Sequence, residues 1–459
     1  MEKVTLFWFR RDLRIQDNCG LYHALKGENR VIPIFIFDKE ILKKLPKQDA
    51  RVEMILLALG AIDIAMKRNR CNVGKYHGTP KAIFSKLIKQ WNIEKVICNE
   101  DYEPYASERD SEIKTLLEAA GIQFECYKDQ VIFEKEEVVK GDGTPYKVYT
   151  PYSRKWLEKY QETPLQFYPS EVELDSLASN ESLPDLNLSD LGFETSGIAQ
   201  PEYRFDDTLI DQYEATRNFP ALDQTSRLGA HLRFGTVSIR RLVNQASSRS
   251  NNTFLKELIW REFFMQILWH FPYTQQKSFK PQYERIIWRN NPDEFEKWCA
   301  GETGYPLVDA GMRELNETGF MHNRVRMLVG SFLCKHLLID WRWGESYFAE
   351  KLLDYEMSSN VGNWQWVAGC GTDAAPYFRV FNPWTQSRKF DTDGDYIRTW
   401  VPELAGLNKK MIHEPHLAPP LDLAAAGVVL GDSYPHPVVN HAFARDRVLA
   451  AYKTALGKD

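Results

Sequence analysis

Short apolar runs of strand length alternate with helical stretches through the first 130 residues of the chain, and after residue 201 the strands vanish. VTLFWF (4–9) and VIPIFIF (31–37) flank NCGLYHALKG, a helical pattern that ends at glycine. A long amphipathic stretch follows at 50–70, then a weak strand near 72–76. TPKAIFSKLIKQWN opens on a threonine cap and a proline, which is a helix start signal. KVICN (95–99), the helical SERDSEIKTLLEAAG closing on Gly121, and IQFECY complete the alternation. Such alternation predicts an α/β domain with a parallel sheet over 1–130. Its GxGxxG and Walker signatures are missing, so the common dinucleotide and triphosphate loops are not expected.

Between 131 and 200 the periodicity weakens, and SEVELDSLASNESLPDLNLSDLG is polar, acidic and proline-punctuated. It reads as an interdomain linker. From 201 to 459 long helical patterns take over, and ten of the thirteen tryptophans lie between 260 and 400. A larger all-α C-terminal domain is expected. A chain of 459 residues exceeds what one core serves, which fits this division. No apolar run reaches the roughly 18 residues of a membrane span. The first residues, MEKVTLFWFRRDLRIQDN, do not read as a signal peptide. Seven scattered cysteines without a CxxC suit a reduced, cytoplasmic protein with no metal site.

The net charge of −5 is unevenly spread. Residues 171–223 hold thirteen Asp and Glu against two Arg, or −11, which leaves +6 for the remainder. That excess can gather on one face and meet a phosphate backbone, or it can be solvated and dispersed.

Four segments carry candidate chemistry. DQTSRLGAHLRFGTVS (223–238) joins a small-residue turn to a helix, and such a start can hold a phosphate or simply be capped. FLKELIWREFF (254–264) places Glu257, Trp260, Arg261 and Phe264 on neighbouring turns. MHNRVRM (321–327) gathers Asn323, Arg324, Arg326 and Met327, a set suited to an anion beside a flat ring. In SSNVGNWQW, Asn360 stands four residues before Trp364 and six before Trp366. Core packing would account for those indoles. Electron handling or stacking on bases would account for them too.

Taken in order, these segments resemble the cryptochrome/photolyase family, most closely the class I enzymes that repair cyclobutane pyrimidine dimers. FWFRRDLRIQDN, TSRLGA, ELIWREFF, TGYPLVDAGMRELNETGFMHNRVRM, LIDWRWGESYF, NVGNWQWVAGCGTDAAPYFRVFNP and KFDTDGDYIRTWVPEL carry the resemblance nearly end to end. It implies an antenna-binding α/β domain (1–130), a linker (131–200) and a helical FAD- and lesion-binding domain (201–459).

The resemblance also implies roles. Tyr213, Thr225, Ser226, Arg227, Leu228 and Gly229 are expected to hold the flavin's phosphates and ribityl chain. Arg326 and Asp354 are expected to pair over the isoalloxazine ring, with Tyr355 and Glu356 beside it and Asn360 facing its N5 edge. Trp364, Trp341 and Trp288 match the electron-transfer chain from flavin to surface. Trp366 and Trp260 are expected to flank a flipped dimer, with Glu257 bonded to its carbonyl and Asn323, Arg324 and Met327 completing the pocket. Arg217, Arg261 and Gln386 match DNA-contacting positions. Lys277, Lys280, Arg379, Arg388 and Lys389 are further basic residues that grip phosphates or stay solvated.

The implied reaction is light-driven dimer repair by an electron from excited, reduced FAD, in a chain that works as a monomer on damaged DNA with no obligate protein partner. The alternative is a cryptochrome-like blue-light receptor. Asn360, where plant cryptochromes carry Asp, the complete pocket and the lack of a long tail favour repair. Repair of the (6-4) photoproduct is disfavoured, because that subfamily places histidines where Asn323 and Met327 stand. Two departures are mild: Glu356 replaces the Asp of many class I enzymes, and Phe254 replaces the Trp of some relatives. For a second, antenna chromophore the resemblance leaves four readings open: a folate, a deazaflavin, a flavin or an empty site. Tyr105 and Ala106 stand where folate binders carry Asn-Glu.

Overall fold

The computed structural model describes residues 2–179 and 183–457, so 180–182 of the linker lie outside the described residues. Strands β1 (Lys3–Phe9), β2 (Arg30–Asp38), β3 (Gly74–Gly78), β4 (Asn92–Asn99) and β5 (Gln123–Tyr127) alternate with helices α1 (Cys19–Leu25), α2 (Ala50–Met66), α3 (Pro80–Gln90) and α4 (Pro104–Ala119). A short helical turn, Lys39–Leu42, precedes α2. Later along the chain come α5 (Asp207–Thr216), α6 (Gly229–Phe234), α7 (Ile239–Ser247) and α8 (Thr253–His270). They are followed by α9 (Pro306–Thr318), α10 (Asn323–Ser331), α11 (Trp341–Lys351), α12 (Met357–Ala368), α13 (Pro383–Phe390) and α14 (His441–Leu456), besides the helices Tyr149–Glu162 and Pro292–Ala300 and several shorter helices and turns. The α/β-then-α layout expected from the sequence is therefore present.

All five strands are parallel, in the order β3-β2-β1-β4-β5. Successive strand side chains point to opposite faces. Leu6, Trp8, Ile32, Ile34, Ile36, Val96 and Cys98 therefore share one face, where they bury with Phe84 and Leu87 of α3 and Ile113 and Leu117 of α4. Helix α1 covers the other face so closely that a Cβ on Gly20 would come within 3.1 Å of the Phe7 ring. The expected cap of α3 is in place: Thr79 accepts from the Ala82 N–H and Pro80 opens the helix.

Two expectations shift. The weak strand begins at Gly74 rather than 72, because the Val73 N–H is taken by the Asp63 carboxylate at 2.7 Å. Helix α2 is less amphipathic than its pattern suggests. It buries Val52, Leu59, Ile62 and Met66, yet leaves Leu57 60% and Ile64 76% exposed.

The chain forms two compact units. One comprises Met1–Tyr146, Thr150–Tyr203 and Arg227–His270, and the other Lys147–Tyr149, Arg204–Ser226 and Phe271–Asp459. The second unit centres on a core that includes Trp298, Tyr305, Phe332, Trp341, Phe348 and Trp364. Among the described residues no helix is long and apolar enough to cross a membrane. Nor does any group of three or more His, Cys, Asp or Glu side chains stand ready to hold a metal ion.

Candidate functional site

The second unit contains a cavity lined by both polar and aromatic side chains. Two helices build most of it. His322 caps α10, its Nδ1 accepting from the Arg324 N–H at 3.1 Å. Helical spacing then turns Asn323, Arg326, Met327 and Gly330 to the cavity. Helix α12 contributes Ser359, Asn360, Asn363, Trp364, Trp366 and Val367. Asp354, Tyr355 and Glu356 line it from the segment just before α12.

Arg326 and Asp354 form a two-pronged ion pair, Nη1 to Oδ1 at 3.1 Å and Nη2 to Oδ2 at 2.9 Å. Arg326 Nε also donates to the Met321 carbonyl at 2.7 Å. Such a fork fixes both groups in plane.

Asn360 is oriented by Glu345 of α11. Its Nδ2 donates to Glu345 Oε1 at 3.0 Å and to the Glu345 backbone carbonyl at 3.1 Å. The amide nitrogen is therefore used up, and no hydrogen bond among the described residues engages the oxygen. The Tyr355 hydroxyl donates to Glu345 Oε1 as well, at 3.2 Å. Burial pushes the Glu345 carboxyl above its ordinary range, against the pull of these two donors.

Trp364 lies flush on the backbone of α11. A Cβ on Gly344 would fall 2.1 Å from its ring, and one on Gly330 3.5 Å away. Its ring contacts are Phe348 (centroids 5.0 Å) and Trp298 (6.1 Å). Trp341 is buried, carries Arg342 over its ring at 4.8 Å, and leaves its Nε1 without a partner among the described residues. Trp288 packs edge-on against Tyr452 at 6.2 Å. The three expected chain members thus belong to one aromatic core, but they are not in ring contact with one another.

Of the expected lesion residues, Asn323, Met327 and Trp366 line the cavity. Arg324 bonds to Asn218 Oδ1, lies 3.7 Å from the Met327 sulfur and stacks over Phe390 at 4.3 Å. Burial, and then the nearby positive charge of Arg217, lower its guanidinium from the ordinary value. Arg217 ends α5 and lies over the Tyr213 ring at 5.6 Å. Gln386 sits half-buried on α13.

Other expected site residues are placed elsewhere in the chain. Glu257, Trp260 and Arg261 ride on α8 in the first unit. There Trp260 meets Phe263 and Phe264, and Arg261 donates to the carbonyls of Gln130 and Leu232. The TSRLG stretch is divided: Thr225 and Ser226 close a segment of the second unit, and Arg227, Leu228 and Gly229 open one of the first. Arg227 adopts a left-handed backbone, φ 54°, immediately before α6. Glu345, Gly344, Gly330, Phe348 and His322 were not singled out from the sequence. One signal was available for Glu345, four residues after Trp341 on the same helix.

Comparison with known proteins places this geometry in context. Residues 5–170 match the DNA photolyase family model, and residues 254–454 match the FAD binding domain of DNA photolyase. A deoxyribodipyrimidine photo-lyase of Agrobacterium fabrum is 38% identical, over 98% of this chain and 97% of that protein. A class III photolyase structure from Agrobacterium tumefaciens superposes with a TM-score of 0.89 at 37% identity, covering 99% of this chain and 98% of the other. A photolyase from Sulfolobus tokodaii, solved with two FAD molecules, gives 0.84 at 33% identity, covering 98% and 100%.

Proposed function

The chain belongs to the DNA photolyase family, and we propose that it repairs cyclobutane pyrimidine dimers in DNA under light, with FAD as its cofactor. One observation supports this most: the cavity of the second unit presents a fixed Arg326–Asp354 fork and an Asn360 oxygen with no partner among the described residues. A flat heterocycle with an N–H on its edge suits that pair of features. The glycine-seated indole of Trp364 gives the cavity a smooth wall.

When bound in its reduced state, FAD absorbs blue or near-ultraviolet light, gives the electron that splits the cyclobutane ring and takes it back. The residues position and tune. Asn360 would accept a hydrogen bond from the flavin's N5 edge and so favour the reduced ring. Arg326 and Asp354, with Tyr355 and Glu356, hold the ring. Tyr213, Thr225, Ser226, Arg227, Leu228 and Gly229 hold the phosphates and ribityl chain. Trp288, Trp341 and Trp364 would relay an electron inward from the surface to restore the reduced state.

On the substrate side, photolyases are among the enzymes that take their target base out of the stack. Trp260 and Trp366 would flank the extruded dimer, as aromatics stack on exposed bases. Glu257 would hydrogen-bond its carbonyl, stabilising charge that develops during reaction. Asn323, Arg324 and Met327 complete the pocket, and Arg217, Arg261 and Gln386 touch the strand. Sites and domains go together in this reading: antenna binding over 1–130, a linker over 131–200, and cofactor and lesion binding over 201–459. The antenna site takes a folate, a deazaflavin or a second flavin, or stays empty. In this reading the chain repairs as a monomer with no obligate protein partner, and the compartment proposed is the cytoplasm.

The test offers the FAD-loaded protein two damaged oligonucleotides, one with a cyclobutane thymine dimer and one with a (6-4) photoproduct, in light and in the dark. Light-dependent restoration of the first alone supports the proposal. Photoreducible flavin with no repair of either would favour the receptor reading.

A further inference from the structure

Helix α2 turns an apolar stripe to solvent. Leu57 and Ile64 are 60% and 76% exposed, and Ala61 between them is exposed as well. Glu53 lies four residues before Leu57, and Arg68 four residues after Ile64, on the short helical turn Lys67–Asn69 that continues α2. At 3.6 residues per turn, positions 53, 57, 60, 61, 64 and 68 fall on one side of the helix. Asp63 is not part of that side, because it is engaged by Lys75 and the Val73 N–H.

Gly60 stands in the middle of the stripe. A Cβ built there meets nothing within 4 Å, and its backbone is helical, so the chain's own fold does not require glycine. Glycine inside a helix costs roughly 0.5–1 kcal/mol relative to alanine. A second helix backbone drawn close against Gly60 would offset that cost.

The stripe is complementary to itself. Two copies of α2 laid antiparallel about a two-fold axis between Gly60 and Ala61 bring Leu57 onto the Ile64 of the second copy. Gly60 then meets Ala61, and Glu53 meets Arg68, each contact occurring twice, as a two-fold interface demands. The parallel arrangement would instead set the basic ends, with Lys67, Arg68 and Arg70, against each other. Arg68 is exposed and makes no ion pair among the described residues. Glu53 accepts from the Ser196 N–H through one carboxylate oxygen, and its second oxygen is the one offered to Arg68.

We infer that this face of α2 binds a second copy of the chain in a weak, antiparallel, two-fold dimer. A single helix pair buries less than the roughly 1,200 Å² at which stable interfaces begin, so association is reversible and concentration-dependent. None of the residues assigned to cofactor or lesion lies on α2.

Sedimentation velocity of the full FAD-loaded chain tests this over about 1–200 µM, the range suited to so small an interface. The weight-average sedimentation coefficient of the wild type rises with concentration. Gly60→Leu, which replaces glycine by a better helix former, abolishes the rise while leaving the melting temperature unchanged or higher. Glu53→Arg and Arg68→Glu each weaken association at least tenfold, and an equimolar mixture of the two regains it, because every contact then joins opposite charges again. A wild type that stays monomeric throughout overturns the inference and leaves the face to a partner of different sequence. Self-association that ignores Gly60→Leu, or a mixture that fails to regain what each single variant lost, overturns it also.

Discussion

The side-chain amide of Asn360 is clamped by Glu345, with Nδ2 donating at once to Oε1 at 3.0 Å and to the backbone carbonyl at 3.1 Å. The clamp settles which way the amide faces, because only the oxygen remains to meet a ligand. Removing the side-chain acceptor frees the amide to turn. Glu345→Ala is therefore expected to speed air oxidation of the reduced flavin about fivefold, the effect of one net hydrogen bond of about 1 kcal/mol. Glu345→Gln keeps an acceptor oxygen and is expected to stay near the wild-type rate. Flavin absorbance after photoreduction measures both, and equal rates in the two variants would remove the clamp from the account.

Trp364 depends on Gly344 in a different way. A methyl group there would stand 2.1 Å from the indole, so Gly344→Ala must displace the ring. Overpacking of this kind costs about 1–3 kcal/mol of stability. The functional consequence is larger than the stability loss: photoreduction of oxidised FAD is expected to fall at least tenfold, an order-of-magnitude figure for a displaced relay residue. Trp364→Phe is expected to behave likewise, and both variants repair normally once chemically reduced. Undiminished photoreduction in either would take Trp364 out of the electron relay.

Glu257 is assigned to the dimer rather than to the flavin. Glu257→Ala is expected to lower repair per absorbed photon by roughly tenfold or more, the size expected when one preorganised group aimed at developing charge is lost. Affinity for damaged DNA should change little. Parallel loss of binding and repair, measured by titration and by single-turnover flashes, would make Glu257 a binding residue only.

Acid should loosen the cavity through His322. Burial, with Arg326 and Arg324 nearby, holds its imidazole down at about 4, and its neutral Nδ1 caps α10. The folded value lies below the ordinary 6.5, so the unfolded chain binds more protons between these limits. Stability from this group is complete above pH 6.5 and is lost as the pH falls toward 4. His322→Asn keeps a capping oxygen without a titrating group. Flavin retention in this variant is expected to be less pH-dependent than in the wild type, as read by fluorescence of released flavin from pH 7 down to 4.

Much of this was legible along the chain, for reasons that differ by element. β1 and β2 are unbroken apolar runs, and a buried parallel strand has no polar face to disguise it. Asn323, Arg326 and Met327 could be seen to share a side because helical spacing is local. Asp354 lies 28 residues beyond Arg326, and its partnership rested on resemblance until the fork was seen. Glu345 and Gly344 stayed hidden, since a carboxylate that orients an amide and a glycine that seats an indole act through contacts between α11 and α12. The start of β3 and the exposed side of α2 were misjudged for the same reason. One is set by Asp63 and the other by what the rest of the unit leaves uncovered.

The most direct measurement exposes the reduced, FAD-loaded protein to blue light with an oligonucleotide carrying one thymine dimer and follows the ultraviolet absorbance of intact bases, with a dark control. Light-dependent recovery to the absorbance of undamaged DNA is the predicted result. Bound, reduced flavin that leaves the dimer untouched in the light would contradict the account.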